Sequence, residues 1–249
     1  MDAGDGGAAT TETPTPDPER VPHTAAQARQ LVLDVIAEPE LFGPGVVPAA
    51  PAESDPSSWT VLAENCAWRT EQLPDDVLAT LTRYYELPAE GGKGPVRLSA
   101  TVTVHRTTLD AAWEQARMLE EAVGCPEQTL RAGERLTDLI SLAVARGEGA
   151  NDTSDDSLSE RGECVSETRG GPYPYSWDQS TFGPVVVGVS VCGGAGRSEE
   201  EVNGLSVEPT ATMMLRAEGA IAREDSKGGK GGDGNTADPD GTAGPKGGA

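Results

Sequence analysis

The sequence predicts an α+β domain, and three observations carry that prediction. The stretch from Val96 to Cys125 begins with strict alternation and then changes period: Val96, Leu98, Ala100, Val102 and Val104 share one side of a strand, and a helical pattern follows. Val185 to Cys192 (VVVGVSVC) is the most apolar strand candidate in the chain, and its β-branched content suits a central sheet position. The four cysteines, Cys66, Cys125, Cys164 and Cys192, are widely spaced and form no CxxC pair. An even set of this kind suggests two disulfides and an oxidising compartment, against the alternative of four buried thiols.

In chain order, Met1 to Pro22 is polar, acidic and repeats Pro and Thr, so residues 1–22 read as a disordered tether. A single folded domain is expected over 23–223. Thr24 can cap a helix running to about Ala37, with Leu31, Val32, Val35 and Ile36 as its apolar stripe. Leu41 to Ser58 is rich in Pro and Gly and reads as a surface loop. Trp59 to Arg69 reads as strand with a turn or bulge at Glu64–Asn65, and Cys66 and Trp68 share a face if the second part is extended. Pro74 to Leu87 reads as a helix, because Val77, Leu78, Leu81 and Tyr84 or Tyr85 follow helical spacing and Pro74 suits a first turn.

The strand at Val96 carries Arg97, Ser99, Thr101, Thr103 and His105 on its polar side. Thr107 with Asp110 makes a capping box for the helix that follows. Leu109, Ala112, Trp113, Ala116, Leu119 and Val123 form its apolar face, which places Trp113 in the core, and Gly124 is the stop. Glu134 to Ala145 fits a helix or a strand, and the need for a sheet to receive the preceding helix favours strand. Gly147 to Gly162 reads as a polar loop. A strand from Cys164 to about Arg169, a GGPYP turn and an extended stretch Tyr175 to Phe182 lead to Val185–Cys192. Ser198 with Glu201 forms a second capping box after the Gly193–Gly196 turn, and a final helix is expected from about Pro209 to Arg223. Residues 224–249 are Gly-rich and charged and read as a disordered tail.

The formal net charge is -22, from 41 acidic and 19 basic residues, which argues against nucleic acid and anionic membrane surfaces as partners. No apolar run is long enough to span a bilayer. Met1 opens a polar stretch with no leader pattern, which conflicts with an oxidising compartment; one resolution is a removed leader or a lipid anchor upstream of Met1.

Chemistry-bearing motifs are sparse. The Gly193–Ser198 turn lacks the third Gly of a dinucleotide fingerprint and a Walker Lys, and Glu199, Glu200 and Glu201 oppose an anion there. Asn151, Asp152, Asp155 and Asp156 lack the spacing of an EF-hand. Ser190 lies in GVSVC, outside a nucleophile elbow, and nothing specifies a triad with His105. No catalytic residue, metal ligand or cofactor is expected. Tyr173, Tyr175 and Trp177 gather aromatics near a turn, where they could line a cleft or partner surface or simply pack an edge strand.

The ENCAW segment with Cys66 and Trp68, the AAW helix ending at Cys125, and the VVVGVSVCGG strand with Cys192 together resemble the extracytoplasmic sensor-like domains of actinobacteria. Such domains occur as outer domains of PknH-type Ser/Thr kinases and as lipoproteins or secreted proteins. The resemblance covers roughly Thr24 to Arg223. It implies a twisted, mostly antiparallel sheet with helices packed on it, two disulfides, and a cleft for an unidentified ligand or protein partner. With the expected placement of Cys66 in a strand and Cys125 at a helix end, it implies the pairs Cys66–Cys125 and Cys164–Cys192, one of three connectivities open to four cysteines. The function so implied is non-enzymatic ligand or partner binding outside the cytoplasm; a structural or accessory secreted protein is the alternative, and a hydrolase a more distant one.

Overall fold

The structure is a computed structural model that describes residues 14–148, 151 and 154–223. The expectations for 1–13 and 224–249 lie outside these residues. Eight strands form one antiparallel sheet. In chain order they are β1 (Val47–Glu53), β4 (Val77–Leu87), β5 (Val96–His105), β6 (Gln128–Arg131), β7 (Glu134–Ala145), β8 (Asp156–Ser166), β9 (Gly170–Phe182) and β10 (Val185–Cys192). Their spatial order is β1-β4-β5-β10-β9-β8-β7-β6, and β2 (Ser58–Leu62) with β3 (Trp68–Gln72) makes a separate hairpin. Among the described residues, three α-helices complete the fold: α1 (Ala25–Val35), α2 (Thr108–Gly124) and α3 (Glu199–Ile221). The α+β sheet with packed helices and two disulfides is therefore what the sequence led one to expect.

One face of the sheet is the core. The dry side of β5 pairs in register with β10, whose Val185, Val187, Val189 and Val191 are all fully buried. Beneath α1 and α3 this side joins Val32, Val35, Met213, Ala217 and Ile221 in one apolar cluster. Each such fully buried aliphatic side chain contributes roughly 1.5–3 kcal/mol relative to exposure. All three helices begin at the capping boxes that their sequences allow, Thr24–Gln27, Thr107–Asp110 and Ser198–Glu201.

The differences from expectation have physical causes. Pro74–Leu87 forms no helix; it contains β4. Val77 to Leu81 are buried without a break, because a bulge between Val77 and Ala79 puts Leu78 and Ala79 in the same core while Thr80 pairs with Thr103 on the other side. The expected loop Leu41–Ser58 contains β1, an edge strand in which Pro48 and Pro51 are tolerated because edges leave backbone donors unused. Cys66 is not in a strand: it closes the β2–β3 turn at φ 59, and Trp68 opens β3. β8 begins at Asp156, inside the stretch read as polar loop, and GGPYP is extended within β9. Helix α3 starts ten residues before Pro209, which lies in its interior. Residues 14–22 are not a free tether, since Pro16 bridges Ala222 and Arg20 donates to the carbonyls of Gly219 and Ala222.

The largest correction concerns α2, which turns the opposite side inward. Ala111, Gln115 and Ala122 are buried, whereas Trp113 is 61% exposed, Leu109 65% and Val123 83%. The helix covers the polar side of the sheet, where small and polar side chains allow close approach. Spacing reveals an apolar stripe; it does not say whether the facing surface is apolar.

Candidate functional site

The second face of the sheet carries the site. Ser99, Thr101 and Thr103 alternate with the core residues of β5 and meet hydroxyl residues on both neighbours. Thr80 pairs with Thr103 (3.0 Å), Thr82 with Thr101 (2.9 Å), and Ser99 with Ser190 (2.6 Å). The next strands continue this floor. Trp177 is in register with Ser190, and Glu160 with Trp177; Gln179 lies opposite Gly188. α2 and the β2–β3 hairpin stand over the floor and leave a cavity of about 620 Å³. Glu114, Met118 and Glu121 line it from the helix; Trp59, Val61 and Trp68 line it from the hairpin.

Two connections hold these covers in place. Cys66 of the hairpin turn is disulfide-bonded to Cys125 at the end of α2. Trp68 donates its indole N–H to the Gln128 side chain of β6 (2.8 Å). The other disulfide, Cys164–Cys192, joins β8 to β10, the two strands flanking β9. The pairing is the one that the resemblance implied.

The cavity is electrostatically divided. At one end every charge has a partner: Glu134 binds Arg97 (2.5 Å) and Arg131 (2.8 Å), and Glu86 binds Arg169 (2.9 Å). Burial works against the Glu134 carboxylate, yet the hydrogen bonds from Arg131 and Arg97 hold its pKa below the usual value. The other end is acidic. Glu160 is 5% exposed, accepts one hydrogen bond from Ser141 (2.7 Å), and has its pKa raised by burial. Glu121 is pushed up to about 7, chiefly by burial, with Glu160 and Glu114 adding and Arg117 opposing. Glu114 itself faces His105 Nε2 at 2.5 Å, and His105 is 2% exposed. Burial, then Glu160 and Asp178, push the Tyr175 phenol upward, while Arg161 opposes.

Two polar groups of the floor lack any protein partner. Both side-chain atoms of Gln179, a residue 1% exposed, are unsatisfied, as is the Trp177 indole N–H. Buried polar groups are ordinarily paired, so these mark the place where the wall is incomplete without a ligand or solvent.

Of the aromatics singled out in the sequence, Tyr175 and Trp177 line the cavity. Tyr173 does not; it packs on Leu136, Leu139 and Cys164, donates its hydroxyl to the Arg169 carbonyl (3.2 Å), and borders a hollow of about 50 Å³. The Val96–Cys125 unit, in which the sequence singles out no site residue, supplies Ser99, Thr101, Thr103, Glu114, Met118 and Glu121. One signal could have found them. Between Arg97 and His105 the strand face carries only Ser99, Thr101 and Thr103, where a solvated face ordinarily carries long charged side chains, and Glu114 and Glu121 lie two helical turns apart on one side of α2.

No Ser190–His105 triad exists. Ser190 bonds Ser99, and His105 lies six residues along β5, roughly 20 Å away. The Gly193–Ser198 turn packs against Gly94 and Pro95 and ends in a cap whose Glu201 pairs with Lys93. Of the acidic loop, Asp155 pairs with Arg146 and accepts from the Gly183 N–H, while Asp152 lies outside the described residues. Among the described residues, no three His, Cys, Asp or Glu side chains gather as a metal site.

These features define an α+β fold: a curled antiparallel sheet with helices on both faces and a cavity on its polar side. No protein-family model matches the chain, and no curated protein matches it significantly. The fold is similar to the extracellular domain of PknH from Mycobacterium tuberculosis, with a TM-score of 0.51 and 12% sequence identity over 77% of this chain and 97% of that one. At this identity the likeness is one of fold.

Proposed function

We propose that the chain is a non-enzymatic, extracytoplasmic binding domain whose ligand occupies the cavity between β5, β9, β10 and α2. The observation that carries this reading is the Gln179 amide, buried and without a partner in the wall of a 620 Å³ cavity. That volume lies in the range of small-molecule sites, and apolar walls with a few convergent polar groups are their usual composition. The two disulfides and the fold likeness to an extracellular domain support a location in an oxidising compartment. No helix among the described residues is long and apolar enough to cross a membrane.

The test is a thermal-shift screen of small fragments, run in parallel on Gly188→Leu and Gln179→Ala. A Cβ at Gly188 would lie 2.6 Å from the Trp177 ring, so leucine drives the indole into the cavity. Fragments that stabilise the native chain and lose their effect in both folded variants support the reading. Hits that persist in both variants, or no hits at all, contradict it.

A further inference from the structure

We propose that the cavity takes a small organic cation: a protonated amine held between Glu121 and Glu160, on an apolar or aromatic body lying against Trp177. The assignment rests on the reading of the cavity as a ligand site and adds the chemical class of ligand.

Charge balance is the first argument. Glu134 and Glu86 are neutralised by arginines at the far end, and Glu114 is engaged by His105. Glu121 and Glu160 both line the cavity, and neither forms an ion pair among the described residues; Glu160 acts on Glu121 electrostatically, and the main opposing charge near Glu121 is Arg117, which is itself exposed to solvent. An anion would be repelled here, and a neutral ligand would leave the repulsion in place. A cation relieves it, and the low dielectric of the cleft strengthens the attraction.

The second argument is the state of the polar groups. The floor hydroxyls are already engaged with one another in three cross-strand pairs. A sugar would need many uncommitted donors and acceptors. Among the fully buried polar atoms of the cavity's lining, the unpartnered ones are the Gln179 amide and the Trp177 N–H. An indole face beside two carboxylates suits a cation that carries apolar surface.

Burial lifts the Glu121 carboxyl to about 7, and its neighbours there are Glu114 and Arg117 on α2 and Glu160 on β8. Near neutral pH it is therefore about half protonated, and an arriving cation expels that proton.

Isothermal titration of the full chain with tryptamine, indole-3-ethanol and indole-3-acetate tests the proposal, because the three share a ring and differ in charge. Tryptamine is expected to bind at least about tenfold more tightly than the alcohol, and the acetate least. Near neutral pH its binding should release protons, read as a dependence of the heat on buffer ionisation enthalpy. Glu121→Gln and Glu160→Gln should each abolish the tenfold preference for tryptamine over the alcohol, with far-UV circular dichroism and the urea midpoint reporting that the variants are folded. Equal affinities, or tighter alcohol or acetate, overturn the cation assignment and leave the ligand cavity standing. Should all three be silent, the fragment hits decide: amine hits that depend on Glu160 support the proposal, neutral or anionic hits overturn it. An empty screen overturns both.

Discussion

Replacing Glu121 by glutamine should stabilise the protein at high pH and leave it unchanged at low pH. The carboxyl ionises near 4.5 in the unfolded chain and near 7 in the folded one. Below the lower value both states hold the proton and the side chain imposes no penalty. Between the two, the native state keeps a proton that the unfolded state has released, so stability falls as pH rises; above about 7 the loss is complete. A full shift of this size corresponds to roughly 3 kcal/mol at about 1.4 kcal/mol per pK unit. Glu121 is half-buried at the cleft, and solvent screening reduces the expected loss to ~1–2 kcal/mol. Urea unfolding of both proteins at about pH 4 and about pH 8 measures it. Glutamine should gain ~1–2 kcal/mol at the higher pH and nothing at the lower. Equal differences at both pH values, or a less stable variant at high pH, would refute the argument that burial holds this carboxyl protonated. Groups kept at the expense of stability concentrate at functional sites, which links this measurement to the cavity.

Three further outcomes follow from the same geometry. Cys66→Ala with Cys125→Ala opens a loop of 59 residues and should lower stability by about 4 kcal/mol in denaturant unfolding under non-reducing conditions; a loss under about 1 kcal/mol would contradict the role given to this link. Trp113→Ser should change the urea midpoint by no more than ~0.5 kcal/mol equivalent, because the ring is exposed, whereas Ala111→Leu beneath the same helix should lose about 1–3 kcal/mol; the reverse order would place α2 the other way round. Ser99→Ala leaves the Ser190 hydroxyl without its partner and should destabilise by ~1–2 kcal/mol in the same assay, and no change would mean that the hydroxyl ladder is ornamental to the fold.

Local signals in the chain were legible where a segment meets one kind of environment. β5 alternates because one side is apolar core and the other a hydroxyl ladder, and the three capping boxes mark helix starts through chemistry confined to four residues. β4 was not legible because a bulge between Val77 and Ala79 puts Leu78 and Ala79 in the same core, which breaks period 2 and mimics helical spacing. α2 shows the complementary failure. Its stripe at Leu109, Trp113 and Val123 is genuine, but the surface beneath the helix is a polar cavity, so burial selects alanine, glutamine and glutamate instead. The site suffers from the same ambiguity. Glu121 and Glu160 are unremarkable among 41 acidic residues; the sheet register that carries Ser141, Glu160, Trp177, Ser190 and Ser99 across five strands puts Glu160 on the floor, and the packing of α2 over that floor brings Glu121 to the same cavity.

The most direct test of the cavity as a binding site is an amide and indole chemical-shift map of the isotope-labelled chain during titration with the best-binding fragment. The expected result is a set of shifts confined to Ser99, Thr101, Gln179, Gly188 and Glu121, together with the Trp177 indole N–H, which gains its first partner. Shifts confined to the outward stripe of α2 around Trp113, with the Trp177 indole unmoved, would contradict the account.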